Sequence, residues 1–596
     1  MNATPGAGDT IDAVGSLSVS PIPPRAKPPP ADPRTGEAMA VDVDLVFQEA
    51  QRMHQLGQLQ LAAELYERVL SQQPTHSDAL HMLGLVAFKL GNSAVAVELM
   101  SKSVDGDPLL AAAHNNLGVA LRAMKRLPEA LASYDEAIAL DPTSADAHNN
   151  RGNVLQDLKR SKEALTCFNI AIALKADYAP AHNNRGNALR DLRRFSEALE
   201  SYDKALSIKP NYVEAHSNRG LVLQDLDELH EALASFEKAI LLKADHAAAH
   251  SNRGNALKEL RQLSEALSSY DKALAIEGNH AEALWNKALA LLLMGNFQEG
   301  LPLYEWRWRT SHFESSVQQF AKPLWLGHED LRGKTILLHA EQGLGDTIQF
   351  CRYAKAVKQL GARVVLGVPV ALREIVQGLE GVDVLLNQGD PLPLFDFHCP
   401  LSSLPLAFQT NLESIPREIP YLKGRPHLRA RWSQRLGAKK RIRVGLAWSG
   451  NPTYRGDRLR SMSLAEMLPH LPNECEYFCL QKEVRDADKE LLLCSGIQFF
   501  GDELTFPHTA ALIELMDVVV STDTSIPHLA GALGKPTWLM LPFVPDWRWM
   551  LDRQDSPWYP TIRLFRQGPD RGWGHVLDTI EAELMRLIDA ARLSTA

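Results

Sequence analysis

The stretch APAHNNRGNALRDLRRFSEALESYDKALSIKPNY, residues 179–212, decides the fold of the N-terminal half of this chain, because close variants of it recur. Units with a step of 34 residues begin at Val43, Ser77, Ala111, Ala145, Ala179, Val213, Ala247 and Ala281. A repeat of this length predicts a helical solenoid. Each unit is one helical hairpin, which buries its apolar face only by stacking on its neighbours.

Small and aromatic residues recur at fixed places inside the units. Glycine at the eighth place and alanine at the twentieth let the two helices of a unit approach closely, because neither side chain holds the backbones apart. The glycines are Gly118, Gly152, Gly186, Gly220 and Gly254, the alanines are Ala130, Ala164, Ala198, Ala232 and Ala266, and the aromatic residues four places later are Tyr134, Phe168, Tyr202, Phe236 and Tyr270. Proline stops the second helix of some units, at Pro74, Pro108, Pro142 and Pro210. On these residues the sequence resembles the tetratricopeptide repeat family.

Asparagine stands at the sixth place of six consecutive units: Asn116, Asn150, Asn184, Asn218, Asn252 and Asn286. An amide side chain both donates and accepts hydrogen bonds, so a column of amides on an inner face is suited to hold the main chain of an extended peptide. The alternative is that these asparagines bridge adjacent units or are simply solvated. Residues 111–286 resemble the asparagine ladder of the eukaryotic O-linked N-acetylglucosamine transferases, and the resemblance implies protein substrates bound along the repeats.

Charged residues and histidines also recur beside the ladder. For the arginines we favour salt bridges to an acid six residues later over contact with a partner. The expected pairs are Arg151 with Asp157, Arg185 with Asp191, Arg219 with Asp225 and Arg253 with Glu259. The histidines, one to a unit, are His114, His148, His182, His216 and His250. Because they are a whole repeat apart they cannot gather around one metal ion, and we expect them to pack.

The composition limits the class of protein. With 596 residues the chain has room for several domains. A net charge of −9 and a pI near 6.1 argue against a nucleic-acid binder, whose sites concentrate Lys and Arg. The six cysteines form no CxxC pair, so neither a zinc site nor a disulfide framework is indicated, and a reducing cytoplasm suits them. No apolar run of about 18 residues predicts a spanning helix, and residues 1–42, rich in proline and alanine, are expected to be a disordered tail.

The repeat pattern ends in the segment GLPLYEWRWRTSHFE. We therefore assign residues 43–314 to a solenoid of eight units, with Trp306 and Trp308 expected to cover its end and dock it on the following domain. Residues 315–333 are predicted to be a linker.

From Lys334 onward short apolar strands alternate with helical stretches, which is typical of parallel α/β sheets. In a first half, residues 334–430, the predicted strands are TILLHA, RVVLGV, VDVLL and FDFHCPL. After a linker at 431–440, the second half, residues 441–596, has the predicted strands RIRVGLAW, EYFCLQ, IQFF, DVVVST and TWLML. The expected fold class is thus α plus α/β: a solenoid followed by two Rossmann-like, doubly wound domains, with ligands at the carboxyl edges of their strands.

The first candidate loop is EQGLGDT, which follows the strand TILLHA and begins a helix. Gly343 and Gly345 allow a tight turn and a close approach of backbone to ligand. Asp346 falls in the first turn of the helix, where a carboxylate is either a helix cap or a catalytic group facing the cleft. The residues leave both interpretations open.

The second candidate loop is WSGNP with the arginines after it, and it follows the strand RIRVGLAW. Ser449, Gly450 and Asn451 form the turn, and Arg455, Arg458, Arg460 and Ser461 come next. A planar guanidinium is well suited to bind a phosphate. Because the strand brings the loop to the cleft, we favour a phosphate site over a solvated basic loop.

The third candidate loop is STDTSIPHLA, at which a strand ends and a helix of small residues begins. Pro527 in the first turn, after Thr524 and Ser525, is an ordinary helix start. The free amides of such a turn form an anion site suited to a pyrophosphate, and the alternative is a capped helix with nothing bound. Asp523 is a single carboxylate without partners, so we predict no metal.

These three motifs together resemble the heptosyltransferase-like family 9 of glycosyltransferases, across about residues 334–592. The resemblance implies a GT-B fold and a metal-independent, inverting sugar transfer, with the acceptor on the first half and a nucleotide sugar on the second. It implies that Asp346 is the base. It also implies a donor-phosphate site made by Arg458, Arg460, Ser461, Asp523, Thr524, Ser525 and His528.

The sequence therefore predicts a cytoplasmic glycosyltransferase without a cofactor, which moves a hexosyl or heptosyl group from a UDP-, ADP- or GDP-linked donor to a protein or peptide recruited by the repeats. Two alternatives stay open: a protein-binding scaffold whose transferase-like part is inactive, and transfer onto a lipid-linked cell-surface glycan. The segment VPDWRWM offers Trp547, Arg548 and Trp549 either to the donor base or to packing, and packing is favoured for the tryptophans.

Overall fold

The computed structural model describes residues 42–310, 320–341, 343–452 and 456–595. The predicted tail, apart from Asp42, lies outside the described residues, as do Gln342 and Arg455 of the first two candidate loops. The chain divides into two units, Met1–Ala244 and Asp245–Ala596.

The first unit is a series of paired helices that start where the sequence repeats start. Each repeat contributes one helix of 13 residues and one of 14. The helices are α1 (Val43–Gln55), α2 (Leu59–Gln72), α3 (Ser77–Lys89), α4 (Ser93–Gly106), α5 (Ala111–Ala123), α6 (Leu127–Leu140), α7 (Ala145–Asp157), α8 (Ser161–Leu174), α9 (Ala179–Asp191), α10 (Phe195–Ile208), α11 (Val213–Asp225) and α12 (Leu229–Leu242). The helical solenoid predicted from the 34-residue period is confirmed.

The two helices of a repeat touch where glycine faces an aromatic ring. A Cβ atom placed on Gly186 would lie 2.5 Å from Cε1 of Tyr202, and Gly152 stands in the same relation to Phe168. The rings of Tyr202 and Phe168 are fully buried. The close approach predicted from the small residues is therefore confirmed, and the ring of each second helix fills the space that the glycine leaves.

The repeated histidines pack locally, as expected, but the repeated arginines pair differently from the prediction. Nε2 of His148 lies 3.1 Å from the carbonyl oxygen of Pro142, in the turn before its own helix. Arg151 bonds Asp135, 2.6 Å away on α6, rather than Asp157, and Asp157 accepts from Arg122 instead. The prediction failed because positions 7 and 13 of a helix do not lie on the same face.

The equivalent arginines follow the same rule. Arg185 donates to Asn169 and to the hydroxyl of Ser201, and Arg219 donates to Asp203. Arg253 donates to the hydroxyl of Ser269. Each of these partners lies on a second helix of a repeat, so the arginines join the helices of the solenoid rather than bridging along their own helix.

The second unit begins with two more repeats, α13 (Ala247–Glu259), α14 (Leu263–Ile276), α15 (Ala281–Leu293) and α16 (Phe297–Tyr304), followed by a short 3-10 helix, Glu305–Arg309. Arg307, not Trp306 or Trp308, is the buried residue of this last segment. Its guanidinium donates to Glu341, to Glu305 and to the hydroxyl of Ser403. A buried ion pair thus joins this segment to the residues around the first sheet, and Trp308 lies against the guanidinium with 4.4 Å to its ring centroid. That the two half-buried tryptophans also dock the repeats stays a prediction.

The first parallel sheet has the strand order β3-β2-β1-β4. Its strands are β1 (Thr335–His339), β2 (Arg363–Val368), β3 (Val384–Asn387) and β4 (Phe397–Pro400). The four strands predicted in this half are confirmed. Because β1 pairs with both β2 and β4, the loop after β1 lies where the order of strands reverses, which is where open α/β sheets bind ligands.

The second parallel sheet has the strand order β6-β5-β7-β8-β9. Its strands are β5 (Ile442–Ala447), β6 (Cys475–Cys479), β7 (Val518–Thr522), β8 (Thr537–Leu541) and β9 (Ile562–Arg566). The predicted strand IQFF is wrong, since only Gln498 makes an isolated bridge, to Phe478. The strand β9 was not predicted, because arginines interrupt its apolar pattern IRLFR.

Helices connect and flank these strands, and β5 and β7 are neighbours, so the loops after them lie side by side. The helix α21 extends into the stretch that the sequence assigned to a linker at 431–440. The helices are α17 (Leu344–Phe350), α18 (Ala354–Gln359), α19 (Arg373–Val376), α20 (Leu404–Ala407), α21 (Pro426–Leu436), α22 (Asp457–Arg460), α23 (Leu464–Met467), α24 (Asp486–Cys494), α25 (Phe506–Ile513), α26 (Ser525–Ala532) and α27 (Gly574–Thr595).

Candidate functional site

The loop after β1 places Asp346 in the first turn of α17. Gly343 has a φ of 65°, a left-handed conformation that side chains other than glycine rarely adopt. Oδ2 of Asp346 lies against this glycine, 3.0 Å from where a Cβ would stand. The glycine thus makes the turn possible and leaves room for the carboxylate.

Asp346 forms an ion pair with Arg548, which lies in the loop after β8. Nη2 of Arg548 donates to Oδ1 of Asp346 at 2.7 Å, and Nη1 donates to Oδ1 of Asp546 at 2.8 Å. The Arg548 side chain is 7% exposed and that of Asp346 is 34% exposed. One arginine of the second sheet therefore holds the aspartate of the first.

The charges around Asp346 oppose each other. Burial raises the pKa of Asp346 above its usual value, the positive charge of Arg548 lowers this pKa, and the negative charge of Asp546 raises it. Glu341, two positions before Gly343, is paired with buried Arg307, and burial raises the pKa of Glu341 as well. The Asp346 carboxylate thus stands in a partly desolvated place with one cation on it, which are conditions suited to a group that exchanges a proton.

The loop after β5 is tied down by its own residues. The backbone amide of Gly450 donates to the hydroxyl of Ser461, and the side-chain amide of Gln481 donates to that of Ser449. Asn451 and Arg458 are exposed. Ser461, predicted as a phosphate ligand, is itself buried and donates to Asp457.

Arg460 connects this loop to the turn after β7. Its Nη1 donates to the carbonyl oxygen of Asp523 at 2.7 Å, and its Nε lies 3.3 Å from Asp457. The two loops are neighbours because β5 and β7 pair. Arg458 is placed differently from Arg460: it lies on the exposed side of the same short helix.

The turn after β7 is a capped helix start. The hydroxyl of Thr524 accepts from the amide of Ile526, and Ser525 is the first residue of α26. Burial, with repulsion by Asp546, raises the pKa of Asp523 to about 7, although Arg460 opposes the shift. A protonated carboxyl or a carboxylate is thus accessible to Asp523 near neutral pH.

His528 joins the turn to the first sheet. Its Cδ2 would lie 2.8 Å from a Cβ on Gly345, so the absence of a side chain at Gly345 lets the two helices meet. Its Nδ1 lies 3.1 Å from the hydroxyl of Tyr559, and its Nε2 lies 4.0 Å from Asp523. Burial lowers the pKa of His528 well below its usual value, so the ring is neutral near pH 7.

The three predicted loops therefore converge. Asp346 contacts Arg548, Gly345 contacts His528, and Arg460 contacts Asp523. The resulting site has one anchored carboxylate, two guanidinium groups and the amides of α26. Such a set is able to take a proton from one ligand and to stabilise negative charge on another.

Asp546 was not predicted as a site residue, and Arg548 was offered only to the donor base or to packing, not as a partner of Asp346. Both lie in VPDWRWM, just past β8, whose tryptophans were expected to pack. The position after a parallel strand was the available signal, since β7 and β8 are neighbours and their loops share one edge. The tryptophans do pack: Trp547 is 4% exposed and Trp549 is fully buried.

The ladder asparagines of the first unit bridge adjacent repeats. The side-chain amide of Asn184 donates to Asn149 at 2.9 Å, and that of Asn218 donates to Asn183 at 3.0 Å. Asn150 donates to Asn115 and Asn116 to His81 in the same manner. In the second unit Asn252 is half-buried and Asn286 is buried. Bridging between repeats thus uses one N–H of the side-chain amide in each of the four ladder asparagines of the first unit. Peptide binding by the column stays a prediction.

Other features of the chain bear on ligands and partners. Within the described residues one group of three side chains is spaced to hold a metal ion, His470, Asp578 and Glu581, and none of them belongs to the three loops. All six cysteines lie in the described part of the chain and are unpaired. Among the helices that the structure describes, none has the length and apolarity needed to cross a bilayer.

Family models match the repeat region. A model described as "TPR repeat" matches residues 119–159 and 186–227, and two described as "Tetratricopeptide repeat" match residues 145–178 and residues 217–279 and 252–305. A model of the anaphase-promoting complex, cyclosome, subunit 3 matches residues 55–137.

Individual proteins also resemble this chain. Protein FlbA of Caulobacter vibrioides is 25% identical over 299 residues, which are 45% of this chain and 48% of FlbA, so the chain spans about half the length of this relative. The crystal structure of YrrB, titled a TPR protein with an unusual peptide-binding site, is 29% identical with a TM-score of 0.27 and covers 32% of this chain and 100% of its own. A thermophilic TPR protein of Thermus thermophilus, TTC0263, is 26% identical with a TM-score of 0.28, covering 30% of this chain and 99% of its own. The region from residue 55 to residue 305 is therefore built of tetratricopeptide repeats and is a protein-binding scaffold.

Proposed function

We propose that the C-terminal part of this chain is a glycosyltransferase of the GT-B type, which transfers a sugar with inversion from a nucleotide donor to a protein or peptide bound by the repeats. The donor is a UDP-, ADP- or GDP-linked sugar. No metal takes part in the proposed reaction.

The observation that carries this proposal is the convergence of loops from two parallel sheets. Asp346 follows β1 at the point where the strand order of the first sheet reverses, and the Arg460 and Asp523 loops follow neighbouring strands of the second sheet. Ligands of open α/β sheets bind at such points. The arrangement supports an acceptor next to Asp346 and a donor diphosphate next to Arg460 and α26.

The proposed step uses these groups in simple roles. The Asp346 carboxylate takes the proton of an acceptor O–H or N–H group as that atom bonds to the anomeric carbon of the sugar. The bond from the anomeric carbon to the diphosphate oxygen breaks, and the diphosphate leaves with the electron pair. Arg460 and the first amides of α26 stabilise the negative charge that develops on the leaving group.

The repeats supply the acceptor in this proposal. Tetratricopeptide repeats bind proteins, and the amides of Asn150 and Asn218 each use only one donor in the bridge to the previous repeat. Their oxygens make no hydrogen bond within the described residues, and both residues are only partly buried, so the oxygens are proposed to bind a peptide main chain. Binding of this kind tolerates different side chains.

The test begins with the full chain and a panel of UDP-, ADP- and GDP-sugars. A specific rise in melting temperature identifies the nucleotide, and release of that nucleotide during incubation with peptide mixtures measures transfer or hydrolysis. We expect activity to persist in the presence of EDTA. If no nucleotide sugar stabilises the protein and none is turned over, the proposal is wrong and a scaffold with an inactive domain remains.

Two variants separate the roles of base and phosphate ligand. Asp346→Asn should lower turnover by about 10² to 10⁴ while the donor-induced melting shift survives, because a positioned base contributes about that factor. Arg460→Met should instead weaken donor binding, and by more than Arg458→Met, since Arg460 reaches the turn after β7 and Arg458 is exposed. Unchanged turnover of Asp346→Asn would reject the assignment of the base.

A further inference from the structure

The loop at residues 546–549 anchors three consecutive side chains in three different directions. Trp547 packs edge-on against Phe297 and Tyr304 of α16, with ring centroids 5.9 Å and 6.0 Å apart. Trp549 packs against His528 at 5.3 Å. Arg548, between them, is thereby directed to Asp346. Two buried tryptophans thus fix the backbone on both sides of one arginine.

The guanidinium of Arg548 is held as firmly as its backbone. Its two terminal nitrogens donate to Asp346 and Asp546. Its Cζ atom lies 5.2 Å from the ring centroid of Phe350 and 4.9 Å from the ring centroid of Trp547. The backbone amide of Arg548 also donates to Asp546. A planar guanidinium fixed at both ends offers its partner only one geometry.

Only one oxygen of Asp346 is engaged by this arginine. Oδ1 accepts from Arg548, whereas Oδ2 makes no hydrogen bond within the described residues and lies beside Gly343. The side chain keeps a third of its surface exposed. One oxygen is therefore anchored and the other is open to a ligand.

We propose that Arg548 is the positioning residue of the reaction. It anchors Oδ1 of Asp346 and leaves Oδ2 as the atom that receives the acceptor's proton. Asp546 competes with Asp346 for the positive charge of Arg548. This inference rests on the proposed function for its chemical meaning. The geometric part, control of the Asp346 carboxylate by an arginine of the other sheet, stands on the contacts alone.

The charges around Asp346 determine whether a substitution raises or lowers its pKa. Burial raises the pKa of Asp346, Arg548 and more distant Arg307 lower it, and Asp546 raises it. The other titratable groups nearby are Tyr304, Glu341, Asp523 and His528. They are unchanged in the variants below, so their contributions largely cancel when variants are compared.

The test measures protonation of Asp346 without any sugar donor. A water-soluble carbodiimide with an added amine labels carboxyl groups in their protonated form, and mass spectrometry of the peptide containing Asp346 gives the extent of labelling at each pH. In the unaltered full chain, labelling of Asp346 should fall along one titration curve as the pH rises.

Two variants should move that curve in opposite directions. Arg548→Met removes the cation, so the labelling midpoint should rise by about 1 pH unit or more, since a charge within hydrogen-bond distance shifts a carboxyl by this amount. Asp546→Asn removes the competing carboxylate, so the midpoint should fall. A merely structural role of Arg548 would disturb the fold without giving opposite shifts.

Two further variants test whether the shift of the labelling midpoint is specific to the charge of Arg548. Arg548→Lys keeps the positive charge and should bring the labelling midpoint of Asp346 most of the way back to that of the unaltered chain. The lysine lacks the planar guanidinium that donates to Asp346 and Asp546 at once. Arg553→Met removes an arginine of the same segment that pairs with Asp555 instead, and should leave the midpoint unchanged. If Arg548→Met leaves the midpoint in place while circular dichroism shows a folded chain, or if both Arg548 and Asp546 variants shift it in the same direction, the inference is overturned.

A second measurement links the inference to the reaction. Where nucleotide-sugar turnover is found, Arg548→Met should move the acid limb of the turnover profile to higher pH by the same amount as the labelling midpoint, with the donor-induced melting shift retained. An acid limb that stays in place while the midpoint moves would overturn the positioning role. Absence of turnover in the unaltered chain would reject the proposed function, and the labelling result would still decide whether Arg548 controls Asp346.

Discussion

The repeats and the α/β region of this chain differ in how far apart in sequence their contacting residues lie. In the repeats, Asn184 bonds Asn149, 35 positions away, and Arg219 bonds Asp203, 16 positions away. In the α/β region, Asp346 bonds Arg548 across 202 positions, and Arg307 bonds Ser403 across 96. A substitution in a repeat should therefore act on its neighbours, whereas one at the site should act on elements from both sheets.

The largest effect is expected at Arg307, the buried cation between the last repeat and the first sheet. Arg307→Met leaves the carboxylates of Glu341 and Glu305 without their partner, and removing one member of a buried pair costs about 3–5 kcal/mol. Hydrogen exchange of the β1 amides, Thr335–His339, should accelerate accordingly. The side chain of Arg307 is completely buried, so solvent does not compensate for the loss.

Arg309→Met is the matched control for Arg307. It is in the same 3-10 helix but exposed, and its guanidinium lies over the ring of Trp306. We expect less than about 0.5 kcal/mol for this surface change. Equal effects of the two variants would mean that the ion pair does not join the last repeat to the sheet.

The next effect separates the site from the repeats by its dependence on pH. The pKa of Asp523 is raised to about 7 by burial and by Asp546, so the folded state holds its proton more tightly than the unfolded chain. Its contribution to stability is complete below the normal pKa of about 4 and is lost as the pH rises through about 7. Asp523→Asn lacks this dependence.

Relative to the unaltered chain, Asp523→Asn should therefore gain about 3 kcal/mol between about pH 4.5 and pH 8, as measured by hydrogen exchange in α26. Asp502→Asn, at an exposed position of the same half, should show no such gain. A difference that stays constant across this range would contradict the raised pKa of Asp523.

A smaller and more local effect is expected inside a repeat. In Gly186→Ala the new methyl group meets the ring of Tyr202, 2.5 Å away and fully buried. Overpacking costs about 1–3 kcal/mol and the better helix propensity of alanine returns up to about 1, so we expect a net loss of about 1–2 kcal/mol.

Hydrogen exchange in α9 and α10 measures the effect of Gly186→Ala, and Gly278→Ala is the control, because only a backbone oxygen at 3.8 Å lies near that position. Exchange that accelerates equally in the distant β7 would argue that the repeat does not respond as a local unit.

The same contrast explains what the sequence could predict. The period of 34 residues determined where Val43, Ser77 and Ala111 begin their helices, because each repeat is specified by side chains within its own two helices and those adjacent. The pairing of Arg151 with Asp135 was missed, since it depends on which faces the neighbouring helices present. Sequence spacing alone does not give that information.

In the α/β region the loops were predictable but their contacts were not. GLGD, WSGNP and STDTS each follow an apolar strand, and this position was enough to find Asp346, Arg460 and Asp523. Arg548 was missed as a partner of Asp346, because pairing across the two sheets depends on tertiary packing. The strand β9 was missed for a local reason, the arginines in its pattern IRLFR.

The smallest effect tests what the asparagine column does. Asn184 donates to Asn149 and accepts from Asn183, and Asn184→Ala removes both bonds from partly buried groups. The bond between repeats, to Asn149, contributes about 1 kcal/mol, and its loss alone should accelerate exchange in α7 and α9 by roughly fivefold. Asn211→Ala, in an exposed turn, is the control. If Asn184→Ala leaves exchange unchanged, the bridge adds nothing to stability, and peptide binding is then tested against simple solvation by measuring peptide affinity. If exchange accelerates and peptide binding is also lost, the column serves both purposes, because the bridge uses one hydrogen of each amide and leaves the other to a ligand.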